Sequence, residues 1–207
     1  MNPYIVYKFK QALYVNLTNR CPNACLFCAK SKGSKTFNGL NLDLEGKEPS
    51  SAEVIIEIEN YLQQGYIPTE IVFCGYGEPT MALPVLLETA KILTQKYKFP
   101  LRLNTLGLGS LVWGRDITSD LALYFDRVNI SLNSADETTW LKLVRPQKQY
   151  AEKGFLAMQD FIKNCAKKIK NTCVSIVSNQ GVDVEKAKAL AQTLGAKLFV
   201  REYFDEN

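Results

Sequence analysis

The sequence contains no histidine. That absence removes zinc sites that draw on imidazole, Ser-His and Cys-His nucleophile systems, and any imidazole proton shuttle. Long apolar runs are missing too: the longest nearly unbroken one, Met81 to Leu87, falls far short of the roughly 20 residues a membrane-spanning helix requires. The opening segment MNPYIVYKFK lacks the apolar stretch of a signal peptide, so the expectation is a cytoplasmic protein with no membrane partner. Lys and Arg outnumber Asp and Glu by 25 to 21, and the resulting charge of +4 suits an anionic ligand without marking a nucleic-acid site. With 46% hydrophobic and 22% charged residues, the 207-residue chain is not disordered and fits one domain around one core. Its chemistry is left to sulfur, carboxylates, lysine, hydroxyls or a cofactor.

Sulfur is present in an informative arrangement. Of six cysteines, Cys21, Cys25 and Cys28 form a C-x3-C-x2-C cluster, while Cys74, Cys165 and Cys173 are scattered. A reducing compartment argues against disulfides. Three thiolates this close can hold three irons of a 4Fe-4S cluster and leave the fourth iron open. Zinc is the competing reading, and Cys74 could complete such a set. Cys74, Cys165 and Cys173 have apolar neighbours and read as buried packing thiols.

Strand-like and helix-like segments alternate along the whole chain, the pattern of a parallel sheet with helical crossovers. After an opening ribbon at Tyr4 to Phe9, strands are expected at Ala12 to Leu17, Glu70 to Cys74, Leu101 to Asn104, Val128 to Leu132, Cys173 to Val177 and Lys197 to Arg201. A capping box at Ser50 to Glu53 opens a helix that Gly65 can end, and Pro84 suits the first turn of the next. Further helices are expected at Ser119 to Tyr124, Ser134 to Leu143 and Tyr150 to Lys168, and from Val184 between Asp183 as N-cap and Gly195 as C-cap. The fold class is therefore α/β: a partial, open (β/α)6 TIM-like barrel of parallel strands with a short N-terminal β ribbon, two strands short of the eight that close a barrel. One domain is expected over 1–207, with the barrel core at about 12–202 and a cluster loop at 18–50.

Ligands of parallel α/β folds gather at the carboxyl ends of the strands. The cysteines follow the first strand, Gly75-Tyr76-Gly77-Glu78-Pro79 follows the second and Asn104-Thr105 ends the third, so all meet at one rim. Gly75 and Gly77 would let the backbone approach a ligand and Glu78 would offer it a carboxylate, although the segment also reads as an ordinary strand-to-helix turn. Asn104, Thr105, Ser131 and Asn133 can hydrogen-bond a ribose or an amino-acid carboxylate, or else act as caps. Arg145 and Arg201 are candidates for a substrate carboxylate or phosphate. Lys30, Lys32 and Lys35 read as a solvated loop or as contacts to an anionic substrate, and the irregular stretch Ser31 to Ser50 is where a lid would sit.

These motifs resemble those of radical S-adenosylmethionine (SAM) enzymes. The resemblance is carried by Cys21-x3-Cys25-x-Phe27-Cys28 and by Tyr76-Gly77-Glu78-Pro79. It implies a 4Fe-4S cluster on Cys21, Cys25 and Cys28, and SAM bound by its amine and carboxylate to the open iron. It also implies that the Gly75–Glu78 segment meets the amino group, Phe27 lies near the adenine, Ser131 and Asn133 contact the ribose or carboxylate, and Asn104 and Thr105 line the methionyl end. The runs NLTNRCPNACLFC, LDLEGKEPS, IVFCGYGEPT, RLNT, GRDIT and SLNSAD are most similar to small radical SAM proteins associated with TatD-type hydrolases. Tyr76 replaces the first glycine of the superfamily's Gly-Gly-Glu, and Leu106 stands where a Thr-Asn-Gly sequence is often found. The implied reaction is reductive cleavage of SAM to a 5'-deoxyadenosyl radical, with an electron donor such as flavodoxin or ferredoxin, followed by hydrogen abstraction from a small heterocycle, a peptide or a protein loop. A metal-binding module without SAM turnover is the alternative.

Overall fold

The alternation is realised as one seven-stranded sheet in the computed structural model, which describes residues 3–203. β1 (Val6–Phe9) turns back on β2 (Ala12–Val15) as an antiparallel ribbon. A small hairpin, β3 (Thr36–Phe37) and β4 (Leu40–Asn41), stands apart from the sheet. Alongside β2 come β5 (Ile71–Phe73), β6 (Leu101–Thr105), β7 (Arg127–Ser131), β8 (Asn171–Val177) and β9 (Lys197–Arg201), each parallel to the strand before it. Six parallel strands with β1 and β9 as the edges form the expected open barrel wall. Residues 1–2 and 204–207 of the expected domain lie outside the described residues.

Strand register sorts side chains onto two chemically different faces. Leu13, Ile71 and Leu101 are level with one another, as are Leu103 and Val128, and Ile130 and Val174. All join one core with the helices and are at most 1% exposed. Each such fully buried aliphatic side chain stabilises the fold by about 1.5–3 kcal/mol. The opposite face carries Tyr14 and Arg102 at one level, Asn104, Asn129, Cys173 and Lys197 at the next, and Ser131, Ser175 and Phe199 at the third. Most of its positions are polar and half-buried, as the lining of an open lumen should be.

Crossovers are made by α1 (Ser51–Gln63), α2 (Leu83–Lys96), α3 (Gly109–Trp113), α4 (Thr118–Ala122), α5 (Glu137–Val144), α6 (Lys148–Ala151), α7 (Gly154–Lys168) and α8 (Val184–Thr193). The capping box forms: the Glu53 amide donates to Ser50 Oγ at 3.3 Å, and the Ser50 amide to the Glu53 carboxylate at 2.8 Å. Ser50→Ala should therefore cost about 1 kcal/mol in urea unfolding. Asp183 caps α8 as expected, accepting from the Lys186 amide at 3.0 Å. Two helices depart from expectation for identifiable reasons. α5 starts at Glu137 rather than Ser134 because the Asp136 carboxylate caps it through the Thr139 amide at 2.8 Å. The stretch from Tyr150 divides before Gly154, where a Cβ would sit 3.0 Å from the Trp140 ring.

A charge cluster ties α4 to α7. Asp116 accepts from the Thr118 amide at 2.9 Å and from Lys168 Nζ at 2.8 Å. Partial burial acts to raise its pKa, but the Lys168 ammonium and the Thr118 hydrogen bonds outweigh this and bring it down to about 2. A lowered carboxyl pKa stabilises the fold above the ordinary carboxylate range, and that stabilisation fades as pH falls toward 2. Since both groups are partly exposed, the pair is worth about 1 kcal/mol at neutral pH. Unfolding curves of the native chain and Asp116→Asn should thus differ at pH 7 and converge near pH 2. No helix among the described residues is long and apolar enough to cross a membrane.

Candidate functional site

β2 ends where side chains begin to capture the backbone. Fully buried Asn16 donates to the Leu42 carbonyl at 2.9 Å and accepts from the Tyr76 amide at 3.0 Å, linking three segments through one side chain. Arg20 meets Glu48 at 2.6 and 2.8 Å, a two-point contact that Thr18 joins by donating to the same carboxylate. Asn19 receives the Leu44 amide at 2.5 Å. The stretch expected as a lid is therefore partly fixed: Leu42 and Leu44 are buried, and residues 42–48 strap the start of the cysteine loop.

From the other side, the cysteine loop is held by the end of α5. The Ala24 amide donates to the Val144 carbonyl at 3.1 Å and the Leu26 amide to the Leu143 carbonyl at 2.9 Å. Gln147 Nε2 donates to the Cys21 carbonyl at 3.0 Å, and Arg145 Nε to the Ala24 carbonyl at 2.7 Å. Arg145, a sequence candidate for a substrate anion, is thus a clamp on the loop. All six cysteines are free thiols. Burial pushes Cys21 up to about 12, and raises Cys25 as well, with the neighbouring Cys21 and Cys28 adding to the effect. Phe27 and Cys28 are half-buried against the core. Among the described residues no three Cys, Asp or Glu side chains converge tightly enough for a single metal ion.

The Gly75–Pro79 turn packs directly on this loop. A Cβ on Gly75 would lie 2.2 Å from Asn16 Oδ1, and one on Gly77 would lie 2.4 Å from the Thr18 carbonyl oxygen and 2.5 Å from that of Arg20. The close approach that requires glycine is therefore to the chain's own backbone. Half-buried Tyr76 has the Lys30 ammonium 6.0 Å from its ring centroid. Glu78 is 2% exposed. Its Oε1 accepts from the Thr80 amide at 3.1 Å and from the Thr80 and Thr105 hydroxyls at 2.6 Å each, and its Oε2 accepts from the Leu106 amide at 2.8 Å. Burial raises its pKa while the Thr105 and Thr80 bonds oppose that. The carboxylate joins the ends of β5 and β6, with Oε2 carrying one bond from the described residues. Glu78→Gln, which turns an acceptor into a donor facing donors, should cost about 1–3 kcal/mol by thermal unfolding.

The remaining candidates line the inner face. Asn104 accepts from Arg102 at 3.0 Å, and Arg102 is itself paired with Glu70 at 2.8 and 3.1 Å. Half-buried Ser131 offers its carbonyl to Asn133 Nδ2 at 3.4 Å. Asn133 is 2% exposed with φ of 60°, its amide donates to the Ser175 carbonyl at 3.1 Å, and its buried Oδ1 has no partner among the described residues. The cysteine assignment needs one correction. Cys165 is a packing thiol at 0% exposure, but Cys173 belongs by register to the polar inner face, level with Asn129 and Lys197, and Cys74 neighbours Asn104 there. Both are half-buried. Asn16, Thr80 and Gln147, which fix the loops, escaped the sequence reading; the one signal was polar Asn16 within the otherwise apolar expected strand Ala12 to Leu17, which ends at Val15.

Known proteins carry the same frame. A family model described as the Radical SAM superfamily matches residues 15–194. A UPF0026 protein of Methanocaldococcus jannaschii is 26% identical over 152 residues, 69% of this chain and 43% of its own length. A probable dual-specificity RNA methyltransferase RlmN of Prochlorococcus marinus is 28% identical over 160 residues, 73% of this chain and 40% of its own. The chain thus spans about two fifths of the length of these curated relatives. Among solved structures, TYW1 with a lysine-pyruvate adduct bound aligns over 95% of this chain and 66% of its own, with a TM-score of 0.65 at 17% identity. The FeFe-hydrogenase maturase HydG from Carboxydothermus hydrogenoformans aligns over 94% of this chain and 44% of its own, with a TM-score of 0.66 at 15% identity. A partial barrel with three free thiols after its first core strand, matched by this family over nearly all its described length, leads to one conclusion: the chain belongs to the radical SAM superfamily, whose enzymes use a 4Fe-4S cluster and SAM.

Proposed function

We propose that this chain forms a radical SAM catalytic domain in which Cys21, Cys25 and Cys28 hold three irons of a 4Fe-4S cluster, the fourth iron being left for SAM. When bound and reduced, that cluster supplies an electron to cleave SAM into methionine and a 5'-deoxyadenosyl radical, which takes hydrogen from a substrate. The donor set fits: three free thiols on one loop, within electrostatic reach of one another and clamped on both sides. Asn133 supplies the observation that carries the reading toward SAM, because a buried, partnerless oxygen is costly unless a ligand donor meets it. A ribose hydroxyl or the methionyl ammonium provides that donor. Ser131, Asn104 and Thr105 lie at the same rim, the Gly75–Glu78 backbone contacts the SAM amino group, and Phe27 packs toward the adenine. An electron donor of the flavodoxin or ferredoxin class serves as reductant.

The chain's own contribution is to orient and to exclude. Glu78, held by Thr80, Thr105 and Leu106, fixes the turn on which the cysteine loop rests. The test is anaerobic reconstitution with iron and sulfide, reduction, and addition of SAM, with 5'-deoxyadenosine as the expected product. An intact cluster that yields none would sink the proposal.

A further inference from the structure

The end of β9 carries a charge that the SAM reading leaves unused. Arg201 is level with Val177 and, two residues beyond Phe199, lies on the inner face shared with Ser131, Ser175 and Cys173. Its Nε donates to Ser175 Oγ at 3.1 Å. Ser175 is 3% exposed, and its carbonyl accepts the Asn133 amide at 3.1 Å, so one buried residue joins the Arg201 guanidinium to the backbone of Asn133. No carboxylate pairs with Arg201 among the described residues, whereas Arg102, lower on the same face, is neutralised by Glu70. Arg201 is exposed at the end of β9 and lies within electrostatic reach of the Cys74 and Cys25 thiols. With Nε tied to Ser175, the two terminal amino groups remain as a planar fork, the geometry that grips a carboxylate through two bonds. Because β9 is a sheet edge, this fork stands beside the open side of the barrel.

We propose that Arg201, oriented by Ser175, anchors the carboxylate of the enzyme's substrate, making that substrate a small carboxylic acid. This rests on the radical SAM reading above and narrows it, since the anchored group would hold the rest of the molecule between β9 and the cysteine loop. A carboxylate is favoured over phosphate because, among the described strand positions of the inner face, Arg201 is the one cation at the carboxyl end, Lys197 standing two levels lower and Arg102 being paired with Glu70, which matches a single negative charge.

Saturation-transfer NMR on the methylene protons of succinate tests the assignment, with the full chain both cluster-free and reconstituted. Succinate should give a saturable signal in both forms, and uncharged succinamide none. Arg201→Gln should weaken succinate binding on the order of 10- to 100-fold, the worth of a charge-assisted hydrogen bond, and Arg201→Lys by less. Undiminished binding to Arg201→Gln, or no saturable signal from the native chain, would overturn the proposal. Two competitions do the same work: inorganic phosphate displacing succinate at concentrations below the succinate dissociation constant would assign the fork to phosphate, and SAM abolishing the signal in the reconstituted chain would assign it to the SAM carboxylate. The cluster-free result stands whether or not 5'-deoxyadenosine forms, so the anchor and the SAM reaction fail separately.

Discussion

Replacing any one of Cys21, Cys25 and Cys28 with alanine is expected to empty the site of iron and lower SAM cleavage more than about 100-fold, because even the outer partners of metal ligands are worth 10–100-fold. A cluster held by three thiolates with its fourth iron open has no protein ligand to spare. The other inner-face thiols, Cys74 just past the end of β5 and Cys173 on β8, sit on the barrel wall rather than on the clamped loop, so they should not rescue the variants. Cys165→Ala is the matched control: its thiol is fully buried on α7, away from the loop, and its loss should cost about 1 kcal/mol while iron content and SAM cleavage persist. Iron analysis with 5'-deoxyadenosine quantitation reads all four variants. Full iron content in any of the three loop variants would refute the ligand set.

Gly77→Ala should be nearly as damaging without touching a ligand. The added methyl would lie 2.4 and 2.5 Å from two backbone oxygens, those of Thr18 and Arg20, and neither can rotate aside as a side chain would. The Glu78 amide also donates to the Arg20 carbonyl at 2.9 Å, so relieving the clash breaks a bond that joins turn to loop. Overpacking of this kind costs about 3 kcal/mol, equivalent to a fall of about 6–12 °C in Tm for a chain of this size. Since the displaced backbone leads into Cys21, iron loading should fall along with stability. Gly33→Ala gives the contrast: nothing lies within 4 Å of its Cβ position, and its φ of 85° leaves only a local penalty of about 1 kcal/mol. Calorimetry of the two variants should separate them clearly, and equal Tm values would refute the packing account.

Sequence periodicity revealed most of the barrel because each strand had only to declare which residues face the helices. β9 was legible to the residue, and Ser50, Asp183 and Gly195 marked helix ends by local chemistry that needs no tertiary context. The three cysteines were equally plain, since their spacing lies within one short segment. What stayed hidden depends on partners remote in sequence. Gly75 and Gly77 were read as making room for a ligand, but the backbone they accommodate is that of residues 16–20. Cys173 was read as core because its neighbours are apolar, yet strand alternation turns it to the other face, level with Asn129. α3 was missed because it starts on Gly109, a residue that ordinarily weakens helices; here a Cβ would lie 2.6 Å from Ile117, so close packing outweighs propensity.

The clamps on the cysteine loop also bear on the order in which the protein can be built. Asn16 reaches forward 26 residues to Leu42, Tyr76 reaches back 60 to Asn16, Arg145 spans 121 to Ala24 and Gln147 spans 126 to Cys21. Closures of such length are slow, because chain entropy must be surrendered before the contacts return it. The loop therefore acquires its final shape only after β5 and the end of α5 have docked. A chain still emerging from the ribosome, with Gln147 not yet made, presents three thiols on an unclamped segment. On the proposed ligand set, iron insertion belongs to a late stage of maturation, after the barrel wall has assembled around the site.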